Sequence, residues 1–313
     1  MRAYFLRRFI GLLLTLFLIS LAVFFVLEVI PGDPAQVVLG MESDPAAYQA
    51  MRAKLGLDQP PVYRYLDWLS GAVHGDLGRS LQQDLPVSNL IATRMTVTLP
   101  LSGLAFLLAV VIAVPLGVFT AAHHNRIGDY VGRFVLQLGM IVPEFWAGIL
   151  LILVFSVHFH LLPAGGFPGW SDGMRGFVSL ILPAVALGLP RAAVLGRMVR
   201  GAMLETLEEE YIQVARGKGL SERRVLYHCA LRNAILPIVT LSGLLGAQLI
   251  AGSILIENVF SLPGVGRLAF QAIGARDLPL VQGTVVVIAA LIAVLNFAVD
   301  ATYAFLDPRI RYR

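Results

Sequence analysis

Charged residues are scarce in this sequence. Only 14% of its 313 residues are Asp, Glu, Lys or Arg, whereas 57% are hydrophobic, and the mean hydropathy is +0.77. A soluble domain carries about 25% charged residues, so a soluble fold of this length could not bury so much apolar surface. Disorder is excluded as well, because disordered chains combine low hydrophobicity with high charge. The composition therefore indicates an integral membrane protein with several spans.

Cysteine and the common catalytic motifs are also nearly absent. Cys229 is the single cysteine, so no disulfide can form within the chain. The sequence contains no G-x-x-x-x-G-K-[ST] loop, no H-E-x-x-H zinc motif and no G-x-S-x-G nucleophile elbow. His158 and His160 have no carboxylate or cysteine nearby to complete a metal site. We therefore expect no catalytic residues, no metal and no cofactor in this chain.

Long uncharged runs are present, and a helix needs about 20 such residues to cross the hydrocarbon core. Five runs are clear, one of them interrupted by Glu144, and a weaker sixth is interrupted by Arg191. We predict an all-α polytopic membrane protein with six transmembrane helices. The predicted spans are Phe9–Leu27, Met95–Asn125, Phe134–His158, Phe177–Val199, Asn233–Ile256 and Leu278–Val299.

The basic residues predict the orientation of these spans. If the N-terminus is inside, 16 of the 24 basic residues lie in inner segments, and eight of those lie between Arg191 and Arg232. Positively charged loops stay on the cytoplasmic side, so we predict that both termini are inside. The first apolar run is too long for a signal peptide and precedes no small-residue cleavage site, which indicates an uncleaved helix.

The loops divide the chain into three expected parts. Residues 1–30 form the cytoplasmic N-terminus and first span, and residues 31–97 form an outer cap with amphipathic pieces at 46–55 and 62–73. Residues 98–313 form the core with the other five spans. This core includes an inner loop at 201–232 and an outer hairpin at 258–279, in which we expect a short helix near 267–273.

The inner loop is polar overall, yet its apolar residues recur at helical spacing. This pattern predicts one amphipathic helix over Met203–Arg216, ended by Gly217 and Gly219, of which Gly219 can adopt a positive φ. A second short helix is expected from Ser221. Such a segment packs either on the base of its own protein or on a partner. The apolar positions are Leu204, Leu207, Tyr211, Val214 and Ala215.

Several motifs in the sequence resemble one known family. The segments Glu210–Ser221 (EYIQVARGKGLS) and Ala230–Pro237 (ALRNAILP) resemble the EAA loop of ABC importer permeases, in particular the dipeptide, oligopeptide and nickel branch. The resemblance covers nearly the whole chain in order. The other similar motifs are Pro31–Pro34, Leu55–Pro60, Gly75–Ser80, Phe260–Arg267 and Asp307–Tyr312.

The resemblance implies a type I ABC importer permease fold and a non-catalytic subunit of an ATP-driven importer of dipeptides or oligopeptides. The expected location is the bacterial cell inner membrane, where the chain contacts lipid and no nucleic acid. The implied partners are a second homologous permease in a heterodimer, two ABC ATPase subunits or domains, and a periplasmic or lipid-anchored substrate-binding protein. ATP and Mg²⁺ would be bound by the ATPases rather than by this chain.

The resemblance also implies that the inner loop is the coupling helix that docks on an ATPase. A small residue and a glycine four positions apart would allow close approach to that partner. Gln213 and Val214 stand where the general motif has Glu and Ala. The residues expected at this contact are Glu210, Tyr211, Ala215, Arg216, Lys218, Gly219 and Leu220.

Ionisable residues at membrane depth suggest functional sites. Glu144 lies beside Pro143 in the third predicted span, where it would contact an amine of a peptide substrate, a helix partner, or neither. Asp300 lies near the inner end of the last span, below Asn296. Glu144, Asn296 and Asp300 are therefore candidate pathway residues.

Other functions stay open. The same branch also handles glutathione, nickel and other small solutes, and nickel is less favoured because no His, Cys or Met cluster lines a predicted span. A stand-alone secondary transporter would favour paired intramembrane charges or inverted repeats, of which no repeat is evident. A membrane enzyme would need the catalytic residues that the sequence lacks.

Overall fold

The structure is a computed structural model that describes residues 2–29, 33–39, 44–54 and 56–306. Three motifs noted in the sequence extend beyond these ranges. Pro31 and Gly32 of the first, Leu55 of the second and Asp307–Tyr312 lie outside the described residues.

Helices dominate the part of the chain that the structure describes. Besides the α-helices, two segments form wider π-helical turns, Ile152–His158 and Val225–Ala230, and one forms a 3₁₀ turn, Trp170–Asp172. The α-helices are α1 (Arg2–Val29), α2 (Pro34–Leu39), α3 (Pro45–Lys54), α4 (Pro61–Val73), α5 (Val87–Ala122), α6 (Ile127–Ile141), α7 (Glu144–Leu151), α8 (Met174–Ser179), α9 (Ile181–Leu207), α10 (Glu210–Gly217), α11 (Glu222–Arg224), α12 (Leu231–Val259), α13 (Val265–Gly274) and α14 (Leu278–Leu306).

The predicted all-α polytopic class is confirmed. Five stretches of the described residues are long and apolar enough to cross a membrane, and they overlap five of the six predicted spans. The expected helices of the outer segment and the outer hairpin are present as α3, α4 and α13. The five stretches are Phe5–Val29, Val87–Ala122, Met174–Leu207, Leu241–Val259 and Leu278–Thr302.

The third predicted span, Phe134–His158, is not one continuous helix. The helices α6 and α7 are bent by 101° relative to each other, and Val142 and Pro143 between them are extended. Proline has no N–H to donate and disfavours helical backbone at the preceding residue, so α6 stops at Ile141. With this bent pair counted as one span, the described chain has six.

Contacts within the chain define two compact units. The larger unit contains Leu99–Leu262 with the described parts of Met1–Phe5 and Leu295–Arg313. The smaller unit contains the described parts of Leu6–Thr98 and Pro263–Val294. This grouping follows contacts and not the sides of a membrane, so the division into residues 1–30, 31–97 and 98–313 stays a prediction.

In the larger unit, α9 packs against α6, α7 and α12. Small residues allow it to approach α5 as well. A Cβ on Gly188 would lie 2.8 Å from the carbonyl oxygen of Ala105, and one on Gly117 would lie 2.6 Å from the Cβ of Val199. Glycine at such positions lets membrane helices pack closely. The close packing of α9 on α5 therefore requires glycine at these two positions.

In the smaller unit, Asp33 joins α2 to α3. It accepts hydrogen bonds from the backbone N–H of Ala35 at 2.9 Å, from the Tyr48 hydroxyl, and from the Arg52 guanidinium at 2.5 Å. Burial acts to raise the pKa of this carboxyl, but the hydrogen bonds and the charge of Arg52 hold the pKa below its usual range. Asp33 therefore stays ionised at neutral pH.

Asp277 joins the outer hairpin to the loop that follows α4. Its side chain is buried and accepts hydrogen bonds from the Ser80 hydroxyl at 2.5 Å and from the backbone N–H of Leu81 at 3.1 Å. Nearby, Thr98 accepts a hydrogen bond from the backbone N–H of Val265 at 2.9 Å. These bonds satisfy buried polar groups of the loops, which otherwise would be costly to remove from water.

Candidate coupling segment and pathway residues

The inner loop does not form the single helix predicted over Met203–Arg216. The helix α9 ends at Leu207, Glu209 is extended, and α10 begins at Glu210. Carboxylates three or four positions apart, such as Glu205 with Glu208 and Glu209, would repel each other on a continuous helix, whereas a carboxylate in a first turn faces the positive end of the helix dipole. The acidic run at Glu208–Glu210 therefore favours a new helix start over continuation.

The end of α10 matches the prediction for Gly219. Its φ is +76°, and its N–H donates to the carbonyl of Arg216 at 2.9 Å. The N–H of Leu220 donates to the carbonyl of Ala215 at 3.3 Å. These two bonds form a Schellman motif, in which a glycine in the left-handed region closes the helix. A Cβ on Gly219 would meet no atom of the chain within 4 Å.

The two faces of α10 differ in burial. Ile212 is fully buried and Ala215 is 8% exposed, and both pack into an apolar cluster of the larger unit. Tyr211 and Val214 are 40% and 55% exposed. The sequence pattern had placed Tyr211, Val214 and Ala215 on one apolar face and omitted Ile212. One face of α10 is thus buried through Ile212 and Ala215, while Tyr211 and Val214 remain exposed on its other side.

Side-chain contacts hold this segment in place. The amide of Asn233 on α12 donates to the Tyr211 hydroxyl at 2.6 Å, and Arg216 forms an ion pair with Glu222 at 2.9 Å. Leu220 packs against the same apolar cluster as Ala215. Glu210 and Lys218 are exposed. The surface around Gly219 therefore has a defined shape and open space in front of it.

Glu144 forms an ion pair with α9. It is the first residue of α7, and its Oε2 lies 3.1 Å from Nη2 of Arg191. The two side chains are 13% and 20% exposed, so water screens the pair poorly. Glu144 thus has a partner on a neighbouring helix, whereas contact with a substrate stays a prediction.

This ion pair is incompletely satisfied. Within the described residues, Glu144 Oε2 and Arg191 Nε are buried and make no well-aligned hydrogen bond. A Cβ on Gly252 of α12 would lie 2.9 Å from Glu144 Oε1 and 3.1 Å from Arg191 Nη2, so three helices meet here. A poorly aligned pair recovers only part of the desolvation cost of its polar atoms, which is about 1–3 kcal/mol for an atom left without any partner. An additional polar group would therefore be stabilised at this point.

The other two candidate pathway residues lie on α14. Asn296 is exposed, while Asp300 is half-buried and has an interaction partner within the chain. They are four positions apart and so lie on one face of the helix. Beside them α14 approaches α12, because a Cβ on Gly243 would lie 2.1 Å from the side chain of Val299.

A second acidic anchor lies on the bent pair and was not predicted from the sequence. Asp129 of α6 is fully buried and receives two hydrogen bonds from Arg200, each at 2.8 Å. The backbone N–H of Asn125 adds a third bond at 3.1 Å, and Arg133 lies 3.5 Å away. The available signal was an acidic residue in the first turn of an apolar helix, flanked by basic residues. No group of three possible metal ligands occurs in the residues described.

Comparison with protein families gives two matches. The model for the binding-protein-dependent transport system inner membrane component matches residues 113–312. The model for the N-terminal part of the membrane component of such systems matches residues 1–102. Together, the two family models match nearly the whole chain.

Similar curated proteins match over all or nearly all of their length. A putative peptide transport system permease protein of Brucella abortus (strain 2308) is 40% identical over 313 residues, which is 100% of both chains. The glutathione transport system permease protein GsiC of Escherichia coli (strain K12) is 37% identical over 310 residues, which is 99% of each chain.

A solved structure shares the fold. A chain of the MetNI methionine ABC transporter in an inward-facing conformation is 17% identical, with a TM-score of 0.59. The match covers 70% of the present chain and 96% of that chain.

Proposed function

Because the chain belongs to the family of binding-protein-dependent transport system inner membrane components, we propose that it lines the translocation pathway of an ATP-driven peptide importer. It is a multi-pass inner membrane permease subunit of an ABC importer. The observation that carries the choice of peptide is the 40% identity, over the full length, to a putative peptide transport permease. The chain's own role is to move substrate, with no bond made or broken in it.

Glutathione is the second candidate substrate. The relative named as a glutathione permease is 37% identical over 99% of each chain, close to the value for the peptide relative. Glutathione is itself a short peptide with free carboxylates and an amine. Both candidates therefore present charged and amide groups to a permease, and the same polar residues would serve either of them.

Besides this chain, the proposed assembly contains three kinds of component. A second, homologous permease completes the pathway, two ABC ATPase subunits or domains bind ATP and Mg²⁺, and a binding protein delivers the substrate. The family description itself specifies dependence on a binding protein. Closure of the ATPases would open the pathway outward, and ATP hydrolysis would reset it so that substrate leaves inward.

We assign the ATPase contact to the exposed side of α10 and the turn after it. Glu210, Tyr211, Lys218 and Gly219 are at the surface, and the free space in front of Gly219 would let a partner's backbone approach. Ala215 and Leu220 support this surface from below, since both pack on the apolar cluster. Arg216 orients the turn through Glu222. Force applied at α10 would reach α12 through the Tyr211–Asn233 hydrogen bond.

We assign the pathway contact first to Glu144 and Arg191, and then to Asn296 and Asp300. The ion pair offers one carboxylate and one guanidinium with unused hydrogen-bonding atoms. A zwitterionic peptide carries the complementary groups, an ammonium and a carboxylate. The pair would therefore exchange its internal contact for contacts to a peptide in transit, at little net cost in unpaired charge.

The function is tested by uptake into proteoliposomes that contain the whole importer. We expect uptake of a labelled dipeptide only when ATP is inside the vesicles and the loaded binding protein is outside. An ion gradient alone should drive no uptake. Unlabelled peptides and glutathione are then compared as competitors. Stronger competition by glutathione would select the second candidate, whereas uptake without ATP would contradict the importer itself.

The coupling contact is tested by two substitutions at one position. Gly219→Asn suits the left-handed backbone better than Gly219→Ala does, yet Asn is larger. The melting temperature should therefore be higher for Asn than for Ala, whereas ATP-dependent uptake should be lower for Asn. If uptake instead follows the order of the melting temperatures, Gly219 serves only to end the helix.

A further inference from the structure

A cavity in the smaller unit combines an apolar lining with hydrogen-bond donors that have no acceptor. Its volume is about 520 Å³, and it is lined by the end of α1, by α4, by the loop after α4 and by the start of α14. Phe24, Leu27 and Leu278 belong to its apolar lining. Cavities of this size accept small organic ligands or part of a larger one.

Three residues of the lining carry the donors. Arg64 Nε, Trp68 Nε1 and Gln282 Nε2 are buried, and none has an acceptor among the described residues. Gln282 is only 7% exposed, so an acceptor for its amide has to come from within the cavity. The Trp and Arg nitrogens can donate and cannot accept. The cavity therefore favours a ligand whose polar part consists of acceptor oxygens.

The charge of Arg64 does not require an anion. Its Nη2 already donates to the carboxylate of Glu28, and the two residues form an ion pair. A neutral ester carbonyl or a phosphodiester oxygen would be sufficient for the remaining donors. The apolar part of the ligand would contact Phe24 and Leu27.

The position of the cavity indicates where such a ligand comes from. Both α1 and α14 contain stretches long enough to cross a membrane, and the cavity lies at the C-terminal end of the first and the N-terminal end of the second. The predicted topology places these two ends at the same membrane boundary. At such a boundary, the polar headgroup of a membrane lipid meets its apolar acyl chains, so a bilayer lipid lies at the right depth for this cavity.

We propose that this cavity binds the glycerol-ester region of a membrane phospholipid. Its ester and phosphodiester oxygens would accept hydrogen bonds from Arg64, Trp68 and Gln282, and the start of an acyl chain would fill the apolar part. The bound lipid would join α1, α4 and α14 in one unit.

The test uses the complete importer labelled with a phosphatidylglycerol that carries a photoreactive acyl chain. Gln282→Leu and Trp68→Phe each remove one donor, and we expect two- to tenfold less labelling of α1 and α14, the range for one hydrogen bond. Gln271→Leu, at an exposed position of α13, is the matched control and should label like the unmodified protein. Equal labelling in all four proteins would overturn the proposal.

Competition and melting temperature complete the test. Unlabelled phospholipid should compete in both its diester and its diether form if phosphodiester oxygens are accepted, and only as the diester if the carbonyls are. Competition by free glycerol phosphate or by a peptide substrate would contradict a lipid site.

In lipid-free detergent, Gln282→Leu should melt no lower than the unmodified protein, and added phospholipid should raise its melting temperature by less. A lower melting temperature without lipid would show a purely structural role.

Discussion

Two ion pairs link α9 to the bent pair α6–α7, and they differ in how completely they are satisfied. Arg200 and Asp129 form two parallel hydrogen bonds at 2.8 Å, and the N–H of Asn125 adds another. Arg191 and Glu144 approach to 3.1 Å, but each retains a buried polar atom without a well-aligned partner. The two arginines lie on the same helix, nine residues apart.

The fully bonded pair suits a structural anchor, whereas the incompletely bonded pair suits a site that exchanges its contacts. A carboxylate with bidentate and backbone donors is held in one geometry, so Asp129 fixes the start of α6 on α9. A pair with unused capacity can exchange contacts at lower cost, so Glu144 and Arg191 suit a group that passes through. The sharp bend at Pro143 brings Glu144 to the first turn of α7. The same two elements thus carry one fixed contact and one exchangeable contact.

The largest effect on stability is expected for Asp129→Ala. Removal of one partner leaves the mostly buried Arg200 unpaired, which costs about 3–5 kcal/mol for a buried pair. The measurement is the free energy of unfolding of the purified permease in detergent. Asp172→Ala is the matched control, because its pair with Arg175 is exposed and worth about 0–1 kcal/mol. Similar losses for both variants would contradict the role of Asp129 as an anchor.

Removal of both partners should sharpen the contrast. Asp129→Leu combined with Arg200→Met removes both charges but leaves the N–H of Asn125 without its acceptor. We expect a loss of up to about 1.5 kcal/mol, the net contribution of one hydrogen bond, because Asn125 is exposed and water can reach its N–H. Chemical denaturation of this double variant beside Asp129→Ala gives the value. A double variant as stable as the unmodified protein would mean that the backbone bond does not contribute.

A smaller effect is expected where α12 touches the second pair. Gly252→Ala places a methyl group 2.9 Å from Glu144 Oε1, which should cost about 1 kcal/mol through overpacking and should also reduce uptake. Gly246→Ala on the same helix meets no atom within 4 Å and should be neutral or stabilising by about 0.5–1 kcal/mol. Equal melting temperatures for the two variants would argue against close packing at Gly252.

Much of the fold could be predicted because its signals are local. Uncharged runs identify spans by length alone, and Gly219 identifies the end of α10 because few residues tolerate its φ of +76°. The 101° bend was not predicted, although Pro143 was visible, because proline is also common inside continuous membrane helices. The break at Glu209 was missed because helical spacing continues across it by chance.

The candidate sites depend on contacts that are distant in sequence, and these were harder to predict. Glu144 was identified as an ionisable residue in a span, but its pairing with Arg191 and its approach to Gly252 required the packing of three helices. Ile212 was overlooked because the apolar pattern around it fits more than one face. Asp129 was overlooked because it precedes the apolar run used to define the third span.

The most direct test of the account is peptide uptake by the variant that combines Glu144→Leu with Arg191→Met, measured in the complete reconstituted importer. Replacement of a buried pair by apolar side chains is often neutral or stabilising by about 1–4 kcal/mol, so the variant should fold and its complex should still hydrolyse ATP. We expect peptide uptake to fall by about tenfold or more, the loss of at least ~1.4 kcal/mol of interaction. Uptake at the unmodified rate by a correctly folded complex would contradict a pathway role for this pair.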